Sequence, residues 1–350
     1  MFTSVNESFV SSCQSSLASI LSIFSSTASS HKGSVTSLPD LTADELAFQE
    51  CIEVIDANVK EVITNKADAR EKKWWIDGNY KTIDENRLPL ILIEGVSYEK
   101  FEKKCEITNA SRYWEFQDGM VVIIELPNRD HEMAHYEFTR QFIHQDSQDT
   151  VDIAGASTCH ATPGHITRSS SKQPDCSFTP RIMPKPAPNP CDLQGNPWPT
   201  IIVEVANSES FFRIMYKTTQ FWLALNHVED VFILKLWKWT LGRDQNGTPL
   251  RRFTCYKFCR RNGVQNVYGN YQPVHIIEFG TIDRRNQPYN GCTAPGMCIM
   301  NIFPGCIFRG CPQVPPYPIN NVVIDFFPIQ QAIFRAMIIL QKKYRHKDLG

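Results

Sequence analysis

Two apolar strands separated by one helix constrain the fold of this chain more than any other feature. The segment "TIIVEVA" (200–206) predicts a buried strand, "ESFFRIMYKTTQFWLALNH" (209–227) a helix, and "DVFILKLWKWT" (230–240) a second strand. Strands that alternate with helices indicate a layered fold in which helices cover a sheet. We therefore expect an α/β (α+β) protein with a mixed β-sheet flanked by helices.

The segments on either side continue this pattern. "YWEFQDGMVVIIEL" has Asp118-Gly119 between two strand-like runs, which is typical of a β-hairpin. "DHEMAHYEFTRQFIHQ" predicts a helix, and "TVDIAG" and "PDCSF" predict short strands. Beyond residue 245 the signals weaken, until "NNVVIDF" and "PIQQAIFRAMIILQKKYR" predict a strand and a terminal helix. We predict a main domain over 88–245 and a Cys-rich C-terminal extension over 246–350.

The N-terminal region is predicted to lie outside this domain. Residues 1–40 are rich in serine and lack periodicity, so we expect a disordered tail. Glu7 stands where a secretion signal would carry positive charge, which argues against such a signal. Residues 42–75 predict an accessory helix that begins with a capping box of Thr42 and Glu45.

Charge and cysteine content restrict the partners and the compartment. The formal net charge is -1 over 350 residues, so any attraction to nucleic acid must come from a local surface. No stretch reaches the apolar length of a membrane span. The 12 cysteines occur without a secretory context, which indicates reduced thiols in an intracellular protein of the cytoplasm or nucleus.

Two acids stand at notable places in neighbouring predicted strands. Asp175 begins the "PDCSF" strand, and Glu204 lies within "IIVEV". Magnesium is bound by carboxylates and water, and one or two protein acids are often enough. Hydrolysis of a phosphodiester uses such an ion together with a group that positions the attacking water. Two acids on adjacent strands with a lysine nearby would supply this chemistry.

The order of elements over roughly residues 88–240 resembles a known nuclease family. It runs as hairpin, helix opening with histidine, Pro-Asp strand, Glu-bearing strand, Lys-bearing helix and strand. This order is similar to that of the PD-(D/E)XK nuclease superfamily, and within it to the restriction-endonuclease branch whose lysine has migrated to the helix. The resemblance implies a restriction-endonuclease-like sheet, with Asp175 and Glu204 as ligands of Mg²⁺ or Mn²⁺ and Lys217 as the third catalytic residue.

The sequence departs from this family pattern at two places. Ala206 occupies the position two residues after the glutamate where the superfamily usually has its lysine. Lys217 matches the migrated position, with Lys235 in "FILKLW" as a second candidate. The acid that the branch carries a few residues before the helix lysine is absent from "RIMYK".

The resemblance leads to two hypotheses of different classes. The first is a metal-dependent endonuclease that hydrolyses phosphodiester bonds of nucleic acid, DNA rather than RNA, with a homodimer left open. The alternative is a catalytically degenerate nuclease fold that acts as a nucleic-acid-binding or structural module.

A third hypothesis comes from a literal match to H-E-x-x-H in "HEMAH". On a helix, His131 and His135 would share one face and bind zinc, with Glu132 as general base of a peptidase. Asp130 is the predicted N-cap, so we expect His131 in the exposed first turn, where a buried zinc centre would not form.

Two further clusters suggest ligands. Between residues 235 and 261, basic residues interleaved with aromatic ones predict a nucleic-acid-binding stripe, made of Lys235, Lys238, Arg251, Arg252, Lys257, Arg260 and Arg261. A solvated strand pair explains the same alternation.

The second cluster is a group of cysteines that suggests a structural zinc, although no C-x-x-C pair occurs among Cys255, Cys259, Cys292, Cys298, Cys306 and Cys311. Free buried thiols are the interpretation we favour for these cysteines.

Overall fold

A six-stranded sheet and a five-stranded sheet organise the part of the chain that our computed structural model describes. The described residues are 65–77, 85–108, 114–126, 128–146, 149–153, 159–160, 170–183, 196–224, 227–240, 242–266, 270–312 and 320–345. The strands are β1 (Leu90–Ile93), β2 (Trp114–Gln117), β3 (Met120–Ile123), β4 (Val151–Ile153), β5 (Cys159–His160), β6 (Ser170–Lys172), β7 (Cys176–Pro180), β8 (Ile201–Ala206), β9 (Asp230–Leu236), β10 (Phe253–Cys259), β11 (His275–Glu278), β12 (Ile299–Ile302) and β13 (Val322–Asp325).

Helices pack against these strands or connect them. They are α1 (Ala69–Asp77), α2 (Tyr98–Ile107), α3 (Arg129–Gln145), α4 (Phe211–Lys217), α5 (Pro304–Ile307) and α6 (Phe326–Arg345). A 3-10 turn covers Glu85–Arg87, and a π-helical turn covers Thr218–Trp222 directly after α4.

The six-stranded sheet forms the centre of the molecule. Its order is β11-β10-β9-β8-β7-β4, in which β8 and β9 are parallel and every other pair is antiparallel. All residues of β8, β9 and β10 are buried, which explains why β8 and β9 are mainly apolar in the sequence. The mixed sheet with flanking helices confirms the predicted fold class.

The predicted hairpin is confirmed and belongs to the second sheet, of order β1-β3-β2-β6-β5. Asp118 and Gly119 connect β2 to β3 with φ angles of 48° and 80°. A two-residue hairpin turn with both central residues at positive φ matches the right-handed twist of the strands, and Asp-Gly tolerates that conformation.

The connection from β8 to β9 differs from the single long helix predicted over 209–227. Ser210 caps α4, because its hydroxyl accepts a hydrogen bond from the Arg213 N–H. The α-helix ends at Lys217, and the chain continues as the π-helical turn to Trp222. Such turns are rare and occur often at functional sites.

Helix α3 is covered by the C-terminal segment. Gln141 donates to the Asp325 carbonyl at 2.9 Å and accepts from the Asp325 N–H at 2.8 Å, so it pairs with β13 as a strand residue would. Helix α6 then packs along α3, with Ile329, Ile333 and Phe334 in the same core cluster as Phe138.

The predicted boundary at residues 245 and 246 therefore falls inside the fold. Strand β10, from the predicted extension, pairs with β9 over seven residues, from Phe253↔Leu236 to Cys259↔Asp230. All described residues belong to one compact unit, 51–350.

The N-terminal predictions are covered only in part. The tail over 1–40 lies outside the described residues, as does most of the predicted helix over 42–75. In its described portion, Lys66 forms a parallel bridge with Ile91, and the helix begins only at Ala69. Among the described residues, no helix has the length and apolar character needed to cross a membrane.

Candidate active site

One cavity, partly open to solvent, contains all three residues of the predicted catalytic set. Asp175 lies immediately before β7, Glu204 lies in β8, and Lys217 is the last residue of α4. The cavity is lined by Trp114, Glu115, Ile124, Glu125, His131, Gln173, Asp175, Glu204, Val205, Glu209 and Lys217. Because two sheets and two helices contribute to this list, the site exists only in the folded chain.

The two acids point to the same face of the sheet. Strands β7 and β8 are antiparallel with Cys176 opposite Val203, and extending this register by one residue places Asp175 opposite Glu204. Residues directly opposite in an antiparallel pair carry their side chains on one face. The Asp175 carboxylate also accepts a hydrogen bond from the Val205 N–H at 2.6 Å, which fixes it against β8.

Glu204 is almost fully buried and is held through both carboxylate oxygens. Oε2 lies 3.0 Å from the Lys217 ammonium, and Oε1 accepts from the Trp222 indole N–H at 2.6 Å. Lys217 and Trp222 are five residues apart, and the π-helical turn brings both to one carboxylate. Burial raises the pKa of Glu204 to about 8, with further increases from Asp175 and Glu209, although Lys217 opposes the shift.

Lys217 lies within a ring of carboxylates. Its ammonium lies 3.6 Å from Glu209 Oε2 and 3.8 Å from Glu115 Oε1, in addition to its contact with Glu204. Burial alone would lower the pKa of Lys217, but these acids and Asp175 raise it well above its usual value. Lys217 therefore keeps its charge at neutral pH.

Lys235, the second candidate lysine, has different contacts. Its ammonium donates to the Glu209 carbonyl at 2.6 Å and to the Asn207 carbonyl at 3.2 Å. It thus fixes the loop between β8 and α4, while Lys217 is the lysine that lines the cavity.

Three acids of the cavity, Glu115, Glu125 and Glu209, were missed by reasoning from the sequence. Glu209 stands just before the Ser210 cap of α4, eight residues before Lys217, and it supplies a carboxylate near the lysine despite the missing acid in "RIMYK". Burial raises the pKa of Glu209 to about 6. The signal for Glu209 in the sequence was its spacing from Lys217, which corresponds to about two helical turns.

Glu115 comes from β2 in the other sheet, and its local sequence gives no sign of a role. It lies 2.7 Å from Lys172 and 3.1 Å from Arg213. Burial would raise the pKa of Glu115, but Lys172, Lys217 and Arg213 together hold it well below its usual range.

Asp175 faces a histidine on its other side. His131 Nε2 lies 3.1 Å from Asp175 Oδ1. Burial works against the charge of both groups, but each stabilises the other, so the pKa of Asp175 is lowered and that of His131 is raised. Nearby, Glu125 accepts the N–H groups of Asn207 and Ser208 at 2.8 and 2.7 Å, and its pKa is raised by burial.

The position of His131 contradicts the expected exposed first turn. Asn128, not Asp130, caps α3, and its side chain accepts from the His131 N–H at 3.1 Å. The helix therefore begins earlier, and His131 faces the sheet with 2% exposure. Asp130 is also buried and pairs with Arg251.

Most residues of the predicted nucleic-acid-binding stripe do not lie fully at the surface. Lys235, Arg251 and Lys257 are buried, because strands β9 and β10 lie in the middle of the sheet. Lys257 pairs with Asp230 at 3.0 Å, and Arg252 with Glu278 at 2.6 Å.

The other members of the stripe differ in exposure. Arg260 is partly buried and donates to the Leu223 carbonyl, whereas Lys238 and Arg261 are exposed. Two exposed residues do not form the continuous basic surface that the sequence predicted.

The cysteines are free thiols wherever the structure describes them. Cys259 and Cys306 have their sulfur atoms 3.9 Å apart, and Glu229 lies within ligand distance of both. The Glu229 carboxylate is paired with Arg309, which competes with any cation there. The structural zinc stays a prediction.

The chain has a distant structural similarity to a known protein. No family model matches the chain, and no curated protein matches it. A solved structure, of a proposed nuclease belonging to DUF820 from Anabaena variabilis, matches with a TM-score of 0.34 and 10% identity, covering 67% of this chain and 98% of the neighbour.

Proposed function

We propose that this protein is a metal-dependent nuclease of the restriction-endonuclease type, with Asp175, Glu204 and Lys217 as its catalytic residues. The observation that carries the proposal is the meeting of these residues in one cavity, from a strand start, a neighbouring strand and a helix end. DNA is the substrate we propose, since the resemblance to PD-(D/E)XK nucleases implies a nucleic acid.

The residues of the cavity fit a hard divalent cation. Asp175 and Glu204 offer carboxylate oxygens, which Mg²⁺ and Mn²⁺ prefer. Together with Glu209 they are not among the described groups of three residues whose ligand atoms lie within 4.8 Å of one another, so water would supply the remaining ligands. Among the described residues Glu209 Oε1 accepts no hydrogen bond, although Arg213 Nε lies 3.6 Å away. Burial raises the pKa of Glu204, and the charges of Asp175 and Glu209 raise it further. A cation beside these carboxylates would offset the cost of burying their charge. When bound, it would stabilise the charge that develops on the phosphate and acidify a water molecule.

The chain's own groups have separate roles in this proposal. The Val205 N–H and His131 orient Asp175, and the Trp222 indole orients Glu204. Lys217 stays protonated, so it would donate a hydrogen bond to the attacking water or the phosphate and would not remove a proton. Glu209, with its pKa raised to about 6, is the cavity carboxylate suited to accept a proton near neutral pH.

A specific observation also favours the alternative of a degenerate fold. Both oxygens of Glu204 are already bonded, to Lys217 and to Trp222. A buried pair of this kind can serve structure alone. The protein would then bind nucleic acid without cutting it, and its binding would weaken with salt.

Cleavage of DNA in the presence of Mg²⁺ or Mn²⁺ separates the two functions. Asp175→Ala and Glu204→Ala should each remove metal-dependent cleavage, while both proteins keep a native far-UV circular dichroism spectrum. Asp152→Ala is the control, because Asp152 lies in the same sheet but pairs with Arg181 outside the cavity. Equal cleavage by wild type and both cavity variants would refute the catalytic assignment, and no cleavage by folded wild type would support the degenerate fold.

A further inference from the structure

The first turns of α3 carry a second group of ligand-type side chains, on the far side of His131 from Asp175. One ligand atom from each of His131, Glu132 and His135 lies within 4.8 Å of the others. Glu132 Oε2 lies 3.2 Å from His135 Nε2, and Glu132 Oε1 lies 3.6 Å from His131 Nδ1. Bonds of about 2.1 Å to a common ion place neighbouring ligands roughly 3 to 3.5 Å apart. The 3.2 Å separation matches this spacing, and the 3.6 Å separation would shorten slightly on binding, with both oxygens of Glu132 facing the ion.

The two nitrogens of His131 are in different situations. Nε2 faces the Asp175 carboxylate at 3.1 Å, whereas Nδ1 is buried and has no hydrogen-bond partner among the described residues. The His131 side chain is 3% exposed, so water does not readily satisfy Nδ1. A histidine that donates one N–H to a carboxylate and presents its other nitrogen inward is the usual arrangement at a metal centre.

We propose that His131, Glu132 and His135 form a binding site for a first-row transition metal ion of the zinc type, separate from the magnesium site. Two imidazoles and one carboxylate are ligands that suit zinc, iron or cobalt and do not suit magnesium. The site differs from an H-E-x-x-H peptidase centre, because Glu132 contacts both histidines and serves as a ligand, not as a base acting on water.

The surroundings of the three residues agree with a bound ion. Glu132 is kept ionised, since its contacts with His131 and His135 hold its pKa well below the usual range. Glu132 is half exposed and His135 is partly buried, so an ion can enter from solvent and keep water in its remaining positions. At Nδ1 the ion would replace a ring proton, as metal binding to histidine requires.

A metal ion at this site would also fix the orientation of His131 beside Asp175. With Nδ1 bound to the ion, His131 would carry its proton at Nε2 and donate it to Asp175 Oδ1. This role concerns orientation alone, and metal binding at the site does not depend on the proposed nuclease activity.

Calorimetric titration of the purified full chain with Zn²⁺, and separately with Co²⁺, tests the proposal. Wild type should bind one ion at this site, and His135→Ala and Glu132→Gln should each weaken that binding at least tenfold. His144→Ala is the matched control, because His144 lies exposed on the same helix. Excess Mg²⁺ should not displace the ion.

The cobalt spectrum separates this site from the cysteines. The part of the Co²⁺ absorption spectrum that is lost in His135→Ala should contain d–d bands and no thiolate-to-cobalt charge-transfer bands. His135 is partly exposed and Glu132 is half exposed, so both variants should unfold at nearly the same temperature as the ion-free wild type. Unchanged Zn²⁺ affinity in folded His135→Ala, or an equal loss in His144→Ala, would overturn the proposal.

Discussion

At the scale of single residues, the ionisation of Glu204 connects the stability of the protein to metal binding. Its pKa is raised to about 8 in the folded protein, against an ordinary value of 4.5. The folded state therefore holds a proton that the unfolded chain has already lost between these values. The stability from this proton is complete below the ordinary pKa and is lost as the pH rises through about 8.

This difference predicts a pH dependence that one substitution removes. Without metal, the free energy of unfolding should fall between about pH 4.5 and about pH 8, and Glu204→Gln should flatten the fall because glutamine cannot ionise. Saturating Mg²⁺ should restore wild-type stability at the alkaline end and leave Glu204→Gln unchanged. Urea denaturation at several pH values measures these effects. Parallel curves for the two proteins would show that Glu204 titrates normally.

Sequence reasoning at this scale found the three catalytic candidates but not their neighbours. Asp175, Glu204 and Lys217 followed from short motifs whose order resembles that of the PD-(D/E)XK nucleases. Glu115 belongs to a strand of another sheet, so no spacing along the chain relates it to Lys217. His131 was expected in an exposed turn because the helix start was placed at Asp130 instead of Asn128.

At the scale of elements, the π-helical turn after α4 determines the geometry of the site. It places the Trp222 indole on one oxygen of Glu204 and the Lys217 ammonium on the other. The helical periodicity of "ESFFRIMYKTTQFWLALNH" predicted a continuous helix, since a single widened turn leaves no clear mark in the apolar pattern.

We predict that Trp222→Phe will affect both stability and metal binding. Phenylalanine cannot donate to Glu204, and an unpaired buried carboxylate oxygen costs about 2 kcal/mol. Trp237→Phe is the control, because the Trp237 indole donates to Thr254 at 2.9 Å, outside the cavity lining. Both variants should lose stability in urea, but only Trp222→Phe should weaken Mg²⁺ binding measured by calorimetry. Equal Mg²⁺ affinity in the two variants would contradict this role of the turn.

At the scale of the whole molecule, the C-terminal third completes the domain. Arg251, on the chain leading into β10, reaches across to Asp130 at the start of α3 with a separation of 2.7 Å. The sequence predicted the last strand and the terminal helix of this region, but the weak signals before them suggested an extension. Long-range pairs such as β9 with β10 cannot be inferred from local patterns alone.

The buried pair predicts the effect of removing Arg251. Arg251→Met should lower the free energy of unfolding by roughly 3 to 5 kcal/mol, because Asp130 would remain buried without its partner. Arg261→Met, which affects a half-exposed arginine 3.8 Å from Glu229, should cost less than about 1 kcal/mol. Urea denaturation compares the two. Similar losses would mean that Arg251 acts as a surface charge, as the basic-stripe interpretation assumed.

The central claim is that Asp175 and Glu204 bind one divalent cation beside Lys217. The most direct measurement is the anomalous scattering of Mn²⁺ in crystals of the full chain. We predict a difference peak in contact with both carboxylates, absent from crystals of Asp175→Ala and of Glu204→Ala. Crystals that contain Mn²⁺ but show no peak between these carboxylates, with Glu204 still bonded to Lys217 and Trp222, would contradict the claim.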